Sequence, residues 1–85
     1  MMLDANAFWN YYNNVTNFKN NEYKRSFGLA LDHAGVTRYT QVNYVKSNLT
    51  AICNSAKVSM LTKNVPQGVV RSILTQFKKW INEYY

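Results

Sequence analysis

The sequence predicts an all-α fold, a compact bundle of about four helices, on three observations. Apolar residues recur at three- and four-residue intervals through most of the chain. Turn residues are scarce: Pro66, Gly28, Gly35 and Gly68 are too few for the many turns of a sandwich or barrel. The 85 residues make one domain, 1–85, with no internal repeat and no linker. Aromatic side chains are 15% of the chain, too much ordering potential for a disordered tail. A core this small is marginal alone, so self-association as a homodimer is a further expectation.

The first helix is expected over about 4–20. Asp4 suits its N-cap. Phe8, Tyr11, Tyr12, Val15 and Phe18 share one side of the helical wheel, with Trp9 at the core edge. Asn6, Asn10, Asn13, Asn17 and Asn20 line the opposite side. Asparagine is a mediocre helix former, because its side chain competes for nearby backbone groups, so packing of the aromatic face must hold this helix. The stripe reads as a solvated face, or as an uncharged hydrogen-bonding interface.

The second helix, about 22–34, begins after Asn21 as a cap, with Glu22 favourable at its N-terminus. Tyr23, Phe27, Ala30, Leu31 and Ala34 form its apolar stripe, and Gly35 follows where a C-terminal glycine is expected. The third, about 38–57, has Thr37 or Thr40 as its cap. Val42, Val45, Leu49, Ile52 and Ala56 give it the cleanest periodicity in the chain. Thr40, Asn43, Ser47, Thr50 and Asn54 make its outer face. The stretch 58–64 has no clear period. It extends the third helix or forms a packed turn. Asn64, Val65 and Pro66 signal a fourth helix over about 65–84, since proline suits a first helical turn. Val70, Ile73, Leu74, Phe77, Trp80, Ile81 and Tyr84 are its apolar face, and Arg71, Thr75, Lys78, Lys79 and Asn82 its outer one.

Charge narrows the function. The formal net charge is +6, and none of the 50 residues from His33 to Asn82 is acidic. Arg38, Lys46, Lys57, Lys63, Arg71, Lys78 and Lys79 lie in that stretch. A field of this sign attracts polyanions, of which nucleic acid is the commonest in a cell. Cys53 is the only cysteine, so no intrachain disulfide forms, which favours a reducing compartment. No secretory signal and no apolar run near the ~20 residues of a membrane span are seen. The expectation is a cytoplasmic protein. Action at an anionic membrane surface, through the basic residues opposite Phe77 and Trp80 on the last helix, ranks below the other readings because the same apolar face is needed to complete the core.

The enzyme reading finds little support. His33 and Cys53 share no local motif, and Cys53 borders an apolar stripe where a cysteine is buried and inert. No carboxylates are spaced for acid–base work, and no phosphate loop or metal-ligand pattern occurs. No catalytic residue, metal or cofactor is expected, which leaves a binding protein.

The stretch Phe27 to Val45 carries the best local pattern. Ala34-Gly35-Val36-Thr37 stands between two apolar-periodic helices, with Val42 and Val45 on the inner face of the second. Over Phe27 to Leu49 this resembles the helix-turn-helix unit of DNA-binding regulators. The register differs by one residue at two points. Leu31 stands where the pattern has a small residue, and Gln41 where it has an inward apolar one. The resemblance implies a transcriptional regulator whose second helix enters the major groove. Thr37, Arg38, Tyr39, Gln41, Asn43 and Tyr44 would then lie near duplex DNA, with arginine and glutamine able to contact bases in bidentate fashion. Lys24, Arg25, Lys46 and Lys57 would contact phosphates, and Lys78 and Lys79 would strengthen binding to every sequence. The alternative is a protein-interaction module, such as a small phage- or plasmid-type inhibitor of a host protein. Its contacts would be the asparagine stripe and the tyrosines Tyr84 and Tyr85, since a tyrosine tip is polar and its body apolar.

Overall fold

A computed structural model describes residues 3–16 and 22–85, and among them five helices form and no β-strand does. In chain order these are α1 (Ala5–Thr16), α2 (Glu22–His33), α3 (Val42–Ser47), α4 (Leu49–Thr62) and α5 (Gln67–Tyr84). The all-α bundle expected from sequence is present. Asn17, Phe18, Asn20 and the Asn21 cap lie outside the described residues. No helix among the described residues is long and apolar enough to cross a membrane.

Asp4 caps α1 as expected: its Oδ1 accepts the N–H groups of Asn6 at 2.9 Å and Ala7 at 3.3 Å. The apolar face of α1 packs on α5. Tyr12 Oη lies 3.0 Å from Ser72 Oγ, and Tyr11 donates to Gln76 Oε1 at 3.4 Å. The buried face is turned toward Trp9, which is 1% exposed rather than at the core edge. That rotation leaves Val15, expected inside, 51% exposed. Phe8 is the hub of the aromatic core, with ring centroids 5.1 Å from Phe27, 5.2 Å from Phe77 and 5.4 Å from Trp80.

Two helices end by the same device. After α2, Gly35 adopts φ +83°, its N–H reaches the Asp32 carbonyl at 3.0 Å, and the Val36 N–H reaches the Leu31 carbonyl at 2.8 Å. After α4, Asn64 adopts φ +65°, its N–H reaches the Leu61 carbonyl at 3.1 Å, and the Val65 N–H reaches the Met60 carbonyl at 3.1 Å. Both are left-handed C-terminal closures, and each buries the valine that follows. Asn64, expected to announce α5, instead terminates α4. Pro66 is the N-cap of α5, and Gln67 opens the helix.

The third helix expected over 38–57 is two helices. Thr37 and Thr40 do not cap it. They close the loop before it: Thr40 Oγ1 accepts the Thr37 N–H at 2.9 Å, and Thr37 Oγ1 accepts the Tyr39 N–H at 3.2 Å. Helix α3 then breaks at Asn48, with φ −120° and ψ 21°. The Asn48 side-chain amide donates to the Tyr44 carbonyl at 2.9 Å. This is the competition for backbone acceptors that makes asparagine disruptive inside helices. Beyond the break, α4 continues past the expected end to Thr62. It packs against α2, α3 and α5, and Ile52, Cys53, Ala56 and Met60 are its buried side.

Candidate nucleic-acid interface

Three cations of the C-terminal half, Lys57, Arg71 and Lys78, meet at the seam between α4 and α5, whereas Lys63 borders a separate hollow beside His33. Gln67, Arg71, Leu74 and Lys78 follow one another at intervals of four, three and four, so they form a single stripe along α5. Asn54 and Lys57 occupy the flank of α4 that meets this stripe, a position fixed by the burial of Ile52, Ala56 and Met60 on the core side. Between the two helices lies a cleft of about 190 Å³ with Lys57, Arg71 and Lys78 along it. Cys53, Val70 and Leu74 form its apolar floor, and Asn54, Gln67 and Thr75 add uncharged polar groups. No carboxylate borders it.

The expected site residues are thus divided. Lys57 and Lys78 come together in the cleft. Lys79 does not join them. One residue further on, it is rotated about 100° around α5, and its Nζ lies 4.0 Å from Glu83 Oε1. Lys46 donates to the backbone oxygen of Tyr85. It borders a shallow hollow that includes Asn54, so it adjoins the cleft. Arg25 and Arg38 line a different groove, between α2, the turn after it and the start of α1. There Asp4 and Asp32 offset them. Lys24 lies beside Arg25 in the adjoining hollow next to Trp9.

The residues proposed to read bases surround the start of α3. Arg38 donates to Tyr39 Oη at 2.7 Å, with its guanidinium carbon 4.9 Å from the centroid of that ring. Tyr39, Gln41, Asn43 and Tyr44 are all exposed. Helix α3 has six residues, and eight residues, 34–41, separate it from α2. Helix-turn-helix units use a joint of about three or four residues.

Arg71 is the cleft cation that sequence reasoning left out of the candidate site. The signal was available, because its spacing to Lys78 matches the helical repeat applied above to apolar residues.

Nucleophilic chemistry gains no geometry. Cys53 is 2% exposed, and burial raises its thiol pKa, an effect that nearby Lys78 opposes without cancelling. A thiol held protonated is a poor nucleophile. His33 sits on the other flank of α4, with Nδ1 3.0 Å from Ser59 Oγ, where it ties the end of α2 to α4. Among the described residues no group of three or more His, Cys, Asp or Glu side chains is placed to hold a metal ion.

Comparison with protein-family models, with curated proteins and with solved structures finds no match to this chain. The functional reading therefore stands on the geometry of the chain itself.

Proposed function

We propose that this chain is a small cytoplasmic DNA-binding protein that takes up the phosphates of a duplex along α4 and α5. The observation that carries this reading is the cleft holding Lys57, Arg71 and Lys78 without a neighbouring carboxylate. Three uncompensated cations on one surface neutralise phosphates and release their counterions, the main source of affinity in non-specific DNA binding. The helix-turn-helix resemblance points to a regulatory role, in which Arg38, Tyr39, Gln41, Asn43 and Tyr44 lie near the duplex while the cleft holds the backbone. The long joint and short α3 make this second contact subsidiary to the first.

A mobility-shift assay on random-sequence duplex at low salt tests the proposal. Binding should appear at micromolar protein and weaken steeply as salt rises. It should fall in a variant carrying Lys57→Ala, Arg71→Ala and Lys78→Ala. No shift at micromolar protein refutes DNA binding.

One observation favours the protein-interaction reading as the alternative. The outward side of α4 presents Ala51, Asn54, Ser55, Val58, Leu61 and Thr62, all exposed and uncharged. Val58 is 64% exposed and Leu61 38%. Capture of a host protein that survives nuclease and high salt, and is lost with Val58→Glu, would favour an inhibitor over a DNA binder.

A further inference from the structure

Granted the DNA reading on which it rests, we infer that the α4–α5 cleft clasps one backbone of a duplex and is indifferent to base sequence. Shape is the first reason. Proteins that read bases insert a convex element, a helix or a β-ribbon, into a groove of the duplex. Here the cations border a concavity between two helices. A concavity receives the convex part of the partner, and on a duplex that part is the sugar–phosphate ridge.

The chemistry of the walls is the second reason. Arg71 and Lys78 are separated by seven positions on α5, about 10 Å along its axis, and Lys57 faces them from α4. Point charges on both walls of a cleft hold a chain of phosphates from two sides. Asn54 and Thr75 supply neutral donors between the cations, suited to phosphate oxygens. No aromatic side chain lines the cleft. Single-strand binders stack bases on aromatic rings, so the partner that fits is the duplex, whose bases are already stacked on one another.

The alternative base-reading surface is weakly equipped. The Arg38 guanidinium is engaged by its neighbour Tyr39, and it shares its groove with Asp4 and Asp32. The strongest candidate for a bidentate contact to guanine is therefore partly occupied within the chain.

Two measurements test the inference. Selection from a random-sequence duplex pool should enrich no common motif, and individual duplexes of about two helical turns should agree within tenfold in affinity, against the ~10³-fold or more of a specific binder. The salt dependence should give a slope of log K on log salt of about −2.7 for three phosphates, roughly a 40-fold loss between 50 and 200 mM. Each of Lys57→Ala, Arg71→Ala and Lys78→Ala should reduce that slope by about 0.9, and Lys79→Ala should reduce it less. All three cleft cations are exposed, so matching thermal melts will confirm that the variants fold.

An enriched motif whose binding is lost with Arg38→Ala and Gln41→Ala overturns the inference and leaves DNA binding in place. So does tighter binding to the single strand, or a slope that the triple variant leaves unchanged. Absence of binding to every duplex overturns both readings together.

Discussion

Gly28 and Gly35 lie seven positions apart, and replacing each by alanine should move stability in opposite directions. Gly28 is inside α2, and a Cβ built there meets no atom within 4 Å. Glycine within a helix is about 1 kcal/mol less favourable than alanine, and no packing requirement offsets that cost here. Gly28→Ala should therefore stabilise the fold by about 1 kcal/mol, raising the melting temperature by roughly 4–8 °C for a domain of this size. Gly35 also has open space around its Cβ position, but its φ is +83°. An L-residue there costs about 1–2 kcal/mol, partly offset because alanine also restricts the unfolded chain. Gly35→Ala should lower stability by about 1 kcal/mol and melting by a similar 4–8 °C. Thermal melts followed by far-UV circular dichroism measure both. A lower melting temperature for Gly28→Ala would show that α1 lies closer to α2 than the open groove between them allows, and would refute the reasoning.

Further perturbations address the core, the second helix closure and the cleft floor. Phe8→Ala removes the ring shared by Phe27, Phe77 and Trp80 and should cost about 3–5 kcal/mol, measured by urea denaturation. That is about a quarter or more of the ~4–13 kcal/mol ordinary for such a chain. Asn64→Ala should cost about 1 kcal/mol, because only asparagine and glycine tolerate its left-handed backbone well, whereas Asn64→Gly should melt at or above the parent. Alkylation of Cys53 at pH 7 should run much more slowly in the folded protein than in urea, since the thiol is buried and reaction needs an opening of the α4–α5 seam. Its raised pKa means that the thiolate is scarcer at neutral pH than for an ordinary cysteine and that labelling accelerates with rising pH. Lys78→Ala removes the cation that favours the thiolate, so the pKa should climb further and labelling at a given pH should slow.

The reach of the sequence differs by element. Helix α5 was legible because Val70, Ile73, Leu74, Phe77, Trp80 and Ile81 are all buried, as their spacing requires. Tyr84 was the exception, at 62% exposure in the last turn. The α3–α4 break was hidden for a specific reason. Val42, Val45, Leu49, Ile52 and Ala56 keep helical spacing across Asn48, so a hydrophobic stripe runs through a backbone that does not. The interruption comes from one side-chain amide reaching the Tyr44 carbonyl, a local contact to which periodicity is blind. Asn64 was misread because asparagine serves both helix starts and left-handed helix ends, and only the burial of Val65 separates the two. Within the candidate site, the Arg71–Lys78 stripe could be read from spacing alone. Its meeting with Lys57 could not, because that depends on which flank of α4 packs against α5.

The cleft lining contains neither carboxylate nor histidine. Lysine and arginine keep their charge throughout the physiological range, so acidification within it cannot switch this surface on or off. On the DNA-binding proposal, the attraction is therefore always present, and occupancy would be governed from outside the molecule, by ionic strength and by rival polyanions competing for the same three cations.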